Sequence, residues 1–188
     1  MRFVYGKQEM RSLSRSQESC FLLTNGLGGY ASLTAAYSAN RCDQGVLIAA
    51  QKAPGERVTL VHRLRETLTV DGKPYWLSTQ QFADGTPPED GFRNLSFFAF
   101  ENIPHWRYHI GGVRVTRTMA MTYGQNTTAV IYKVENQSND ACSLTVDPFV
   151  KFGPKETAIK TAPNISFSQG KVMGDKYTLH ISTTAALR

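Results

Sequence analysis

The stretch Trp106-Arg107-Tyr108-His109-Ile110-Gly111-Gly112-Val113-Arg114-Val115-Thr116 decides the fold. Trp106, Tyr108 and Ile110 alternate with Arg107 and His109, and Val113 and Val115 alternate with Arg114 and Thr116. Successive side chains on a strand point to opposite faces, so a period of two marks a strand with one face in a core. The Gly-Gly pair supplies the positive φ that a two-residue hairpin turn requires. The spacing therefore predicts an antiparallel hairpin whose apolar side is fixed.

The same grammar extends in both directions. Val58 to Leu64 predicts a strand, and beyond it Leu68 and Val70 face one way while Thr67 and Thr69 face the other. Asp71-Gly72 is a hairpin signal, with Tyr75 to Leu77 as the return strand. Phe21 to Thr24 and Leu95 to Phe100 are short strands, and the continuous apolar run Gly45 to Ala50 predicts a central strand buried on both faces. Ala53-Pro54-Gly55 carries turn chemistry, and Ala83 to Gly91 reads as a loop with solvated acids. Val130, Tyr132 and Val134 form a further face, answered across the polar turn Asn136 to Asp140 by Cys142, Leu144 and Val146. Asp147-Pro148 is expected to stop that strand. Ile165 and Phe167, then Tyr177, Leu179 and Ile181, predict a last hairpin turning near Gly170. Residues 1–19 are polar and aperiodic, an arm or a first edge strand; Tyr30 to Tyr37 reads equally as strand or helix.

About ten short strands with turn signals between them and few or no helices predict an all-β protein, an antiparallel two-sheet β-sandwich. Residues 1–188 are read as one such domain, and the chain ends on a barely finished strand pattern, as the N-terminal part of a longer protein would. Uncovered sheet edges make oligomer contacts an expectation.

Composition narrows the function classes. The formal net charge is +6, but Lys and Arg are dispersed, without the clustered patch of a nucleic-acid binder. No apolar stretch reaches membrane length, and charged residues interrupt the first 20 residues, so neither nucleic acid nor membrane is expected as a partner. Cys20, Cys42 and Cys142 are far apart and lack metal-ligand spacing, and His62, His105 and His109 add none. No metal and no cofactor are expected, and a cytoplasmic setting fits.

Phe21 to Ala31, FLLTNGLGGYA, holds Gly26, Gly28 and Gly29 within four residues. Glycine is used where φ is positive or where another group comes close. Gly26, Gly28 and Ala31 satisfy a dinucleotide-binding spacing, with Asp43 as the ribose acid, but that reading requires a helix after the loop. The alternative is a rigid turn between strands. Such a turn, flanked by Asn25, Tyr30, Arg41 and Gln44, offers aromatic stacking and polar contacts for a sugar, or a surface for another domain.

Several of these segments resemble one family. Thr24 to Ser32 (TNGLGGYAS), Arg41, the apolar strand Gly45 to Ala50 and Ala53 to Arg57 follow the order seen in the N-terminal domain of bacterial and archaeal glycogen debranching enzymes. Leu64 to Gly72 is similar to that family's L-x-E-x-x-x-V-D-G segment, Phe100 to Trp106 to its F-E-N-x-P-x-W signature, and Gly124 to Thr128 to its G-x-N-T-T. The matches run from Phe21 to Val150. The resemblance implies a β-sandwich of the supersandwich type joined to a C-terminal (α/α) toroid that carries the glycosidase carboxylates and hydrolyses α-1,6-linked glucose. It implies that this chain contributes no catalytic residue and assists α-glucan binding, or walls the substrate cleft with the catalytic domain; the glycine loop and its neighbours, Asn25, Gly26, Gly28, Gly29, Tyr30, Arg41 and Gln44, are the candidate residues for that contact. A self-standing carbohydrate-binding module is the alternative. Two departures stand out: Gln44 occupies the place of a family histidine, and Asp147 to Phe152 differs from the family's Pro, Arg and His pattern, with Lys151 in it.

Overall fold

Asp71 and Gly72 have φ of 48° and 72°, and Gly111 and Gly112 have 53° and 78°. Positive φ at both central residues is the turn whose twist matches a right-handed strand pair, which is why these two dipeptides close tight hairpins. A computed structural model describes residues 2–52, 55–157 and 162–186. The expected turn at Ala53-Pro54 lies outside the described residues.

In chain order the strands are β1 (Phe3–Gly6), β2 (Leu23–Thr24), β3 (Tyr30–Ser32), β4 (Gly45–Lys52), β5 (Glu56–Val70), β6 (Lys73–Trp76), β7 (Thr79–Gln80), β8 (Glu89–Asp90), β9 (Leu95–Phe100), β10 (Pro104–Ile110), β11 (Val113–Met121), β12 (Thr128–Asn136), β13 (Cys142–Pro154), β14 (Ile165–Ser168), β15 (Lys171–Gly174) and β16 (Thr178–His180). One sheet has the order β1-β9-β10-β11-β12, and the other β13-β5-β4-β3-β2 with β6 added to β5. All pairings within them are antiparallel. The protein is an all-β sandwich of these two sheets, with a three-stranded sheet β14-β15-β16 and a two-stranded one β7-β8 attached.

One core joins the two large sheets. Trp106, Tyr108, Ile110, Val113 and Val115 are all buried, as the hairpin's alternation predicts, and Leu68 and Val70 of β5 join them. Phe21 stands edge-on to Trp106 at 5.4 Å, and the indole Nε1 donates to the Ala35 carbonyl at 2.8 Å. Val46 to Ala49 on β4, which lies between β3 and β5, are buried without alternation.

The differences from expectation have local causes. β1 is an edge strand, but Leu13–Glu18 behind it forms a short helix, α1, whose Ser12 side chain accepts from Arg15 N at 3.5 Å. Val58 to Val70 is a single strand with no break. β13 runs straight through Pro148, which sits opposite Leu64; β13 is the edge of its sheet, the position in which a strand tolerates proline. Glu89, expected among the solvated acids of the 83–91 loop, is instead 5% exposed: β8 pairs with β7 and turns its carboxylate inward onto Arg63.

Candidate functional site

The glycine loop is folded by Asn25. Its Oδ1 accepts from Leu27 N at 2.9 Å, an Asx-type turn, and its own N–H donates to Gly29 O at 3.1 Å. Gly26 and Gly28 have φ of 78° and 91°, a region other residues enter only with strain. Gly29 is glycine for another reason. A Cβ there would sit 2.6 Å from Asn25 Nδ2 and 2.7 Å from Asn126 Oδ1.

That contact exposes the architecture of the site. The β11–β12 turn, Thr122 to Thr127, crosses over the glycine loop. Asn25 Nδ2 donates to Gln125 O at 2.9 Å and to Asn126 Oδ1 at 3.0 Å, and Gly124 N donates to Asn25 O at 2.7 Å. Asn126 in turn pairs with β4 as another strand would: Ala50 N donates to its Oδ1 at 3.0 Å and its Nδ2 donates to Ala50 O at 2.9 Å. Thr128 Oγ1 donates to Val46 O at 2.9 Å. The two sheets are thus tied at one end by side-chain amides. Two segments read separately in the sequence, TNGLGG and G-x-N-T-T, form one structure.

Tyr30 and Arg57 flank it. The Tyr30 hydroxyl donates to Asp43 O at 2.7 Å, and burial pushes the phenol's pKa up. Arg57 Nε donates to Gly28 O at 2.6 Å, and its guanidinium lies 5.9 Å from the Tyr30 ring centroid. Gln44 is fully buried; its Oε1 accepts from Asn40 N at 2.9 Å and Arg41 N at 3.2 Å, and its Nε2 donates to Cys20 Sγ at 3.2 Å. Arg41 is exposed and lies 3.5 Å from Asp43. Asn25 and Gln44 are therefore spent on the backbone around them, while Gly26 and Arg41 reach solvent. The residues that sequence reasoning passed over are Asn126, Arg57 and Tyr123. Asn126 and Arg57 lay inside quoted segments, and their partners are visible only in three dimensions.

The dinucleotide reading fails its own condition: strand β3, with no helix, follows Gly29. A glycosidase pair of carboxylates also has no support in Glu66 and Glu89, the acids buried among the described residues. Glu66 pairs with Arg117 and accepts from the Tyr132 hydroxyl, and burial pushes its carboxyl up against the pull of Arg117. Glu89 pairs with Arg63 at 2.8 Å and accepts from Ser78 Oγ at 2.7 Å. Each acid is matched by its own cation and lies within the fold.

Residues 20–186 match the family model described as glycogen debranching enzyme N terminal. The chain belongs to this family. No curated protein and no solved structure gives a match. Membership gives the crossed loops their context: Glu66, Trp106 and Asn126, each within a family-like segment, hold the sandwich together. The departure at Gln44 falls on a turn-holding side chain. At Lys151 it falls on a buried amine that donates to Lys155 O at 3.3 Å, its pKa lowered by burial.

Proposed function

We propose that this domain handles α-glucan for a debranching-type glycosidase, with the crossed glycine loop and β11–β12 turn forming part of the substrate cleft beside a catalytic domain. The observation that carries the reading is the amide clamp at Asn25, Asn126 and Ala50. It makes a rigid end of the sandwich in which the loop tips, Gly26, Leu27 and Tyr123 to Gln125, stay in solvent. A surface held in shape before its ligand arrives loses less entropy on binding. The partners in this reading are glycogen or a branched maltooligosaccharide and the catalytic domain, in the cytoplasm, where free thiols such as Cys20, Cys42 and Cys142 persist. The chain by itself hydrolyses nothing, because the carboxylates that cleave the bond belong to the catalytic domain.

Affinity electrophoresis of the chain through gels containing glycogen tests the reading. Retardation that grows with glycogen concentration is expected, and unchanged mobility in glycogen and amylopectin gels overturns glucan binding by this domain.

A further inference from the structure

Tyr123 is 85% exposed, the most solvent-open large side chain among the exposed hydrophobic residues of the described chain. A tyrosine left in water is ordinarily on a mobile tip; this one is seated. A Cβ on Gly26 would lie 2.5 Å from Tyr123 Cε2, 3.0 Å from Cζ and 3.2 Å from Cδ2, so one edge of the ring fills the space that glycine leaves open. The backbone beneath it is fixed on both sides. Gly124 N donates to Asn25 O at 2.7 Å, Thr122 N donates to Thr127 O at 3.1 Å, and Asn25 holds Gln125 O at 2.9 Å. The ring is presented outward by a clamp that the rest of the chain builds.

Resting on the proposed glucan role, we infer that Tyr123 is the stacking platform for a glucose ring of the bound α-glucan. The face of an aromatic ring is electron-rich, and the apolar face of a pyranose offers a row of C–H groups that pack on it. The surroundings match a sugar better than a protein partner. Thr24, Thr122, Gln125 and Thr127 are exposed on the two crossing segments, and their side chains make no hydrogen bond within the described residues. They offer hydroxyls and an amide to the edge of the sugar, whereas the centre of a protein interface is apolar. Two of the side chains the sequence nominated for direct contact are otherwise engaged: Asn25 is saturated by the loop, and Tyr30 donates to Asp43 O and lies beneath Arg57. Their work is to hold the loop, and Gly26 seats a ring delivered by the β11–β12 turn.

Calorimetric titration of the full chain with a branched maltooligosaccharide tests this, using the parent, Tyr123→Ala, Tyr123→Trp and Phe167→Ala. Phe167 is another exposed ring, 52%, on the separate three-stranded sheet. Tyr123→Ala is expected to weaken binding about tenfold or more, Tyr123→Trp to stay within about threefold, and Phe167→Ala to match the parent. Melting curves check that each variant is folded, which an exposed ring allows. Binding by Tyr123→Ala within about threefold of the parent overturns the platform and leaves the glucan role standing; the ring is then a contact for the catalytic domain. Absence of parent binding at millimolar sugar, with unretarded electrophoresis in glycogen, overturns both.

Discussion

Arg117 on β11 and Glu66 on β5 form an ion pair across the two sheets with no solvent exposure on either side chain. Tyr132 donates to the second Glu66 oxygen, Arg117 Nη2 donates to Tyr108 Oη at 2.7 Å, and the guanidinium lies 3.3 Å from the Tyr37 ring centroid and 4.4 Å from that of Trp106. Removing one partner of such a pair leaves a bare charge in the core. Arg117→Met and Glu66→Leu singly are expected to cost about 3–5 kcal/mol each, whereas the double variant costs far less than their sum. Urea unfolding of the three variants checks it; additive single losses would mean that the two charges do not act as a pair.

Asn126 substitutes for a strand. It makes both ladder bonds to Ala50 and accepts from Asn25. With each net bond worth about 1 kcal/mol, Asn126→Ala is expected to cost about 3 kcal/mol. Asn126→Asp keeps the acceptor but turns a charged oxygen toward Ala50 O, so it should be no milder than alanine. Backbone hydrogen exchange at Ala50 and Leu27, compared with exchange in the β10–β11 hairpin, reads whether the loss is confined to the clamp.

Two glycines of one loop should fail differently. Gly29→Ala brings a methyl within 2.6 Å of Asn25 Nδ2 and 2.7 Å of Asn126 Oδ1, so it should break the amide contacts without backbone strain. Gly26→Ala meets both a φ of 78° and the Tyr123 ring at 2.5 Å. It should displace that ring, and Tyr123 ring resonances in the NMR spectrum are expected to move in Gly26→Ala more than in Gly29→Ala.

His62 gives the fold an acid-side pH dependence. Burial lowers its pKa below 6.5; the Gln44 backbone raises it, and Lys151 and Arg63 lower it further. In that window the unfolded chain binds the proton and the folded one does not. Stability is therefore full above the unfolded value and is lost as pH falls through the folded one. His62→Gln should flatten the fall in urea midpoint as pH drops below about 6.5. An unchanged slope would mean that His62 takes its proton equally in both states.

Most of the sandwich was legible from residues alone. The Trp106 to Thr116 hairpin follows from period-two alternation and a Gly-Gly turn, and both are local, fixed by the steric preferences of neighbouring residues. The same parity that buries Val113 and Val115 also buries Arg117, and the parity of Leu68 and Val70 also buries Glu66. The inward charges were therefore present in the pattern. What the pattern lacks is the reason they are tolerated, because a charge is buried only when another element delivers its partner. Pro148 makes the same point in reverse. A proline ends a strand or does not according to whether a neighbouring strand lies on its N–H side, and that is settled by sheet order.

The glycine loop divides along the same line. The sequence determined that Gly26, Gly28 and Gly29 bend the chain sharply, since freedom in φ is a property of the residue. Only the tertiary structure decided what the bend is for: Asn25 meets Asn126 across 101 positions, and Gly26 receives the ring of Tyr123. Backbone preference acts between neighbours and can be read in order. Close packing and the pairing of buried polar groups act between residues that meet only when the two sheets have closed.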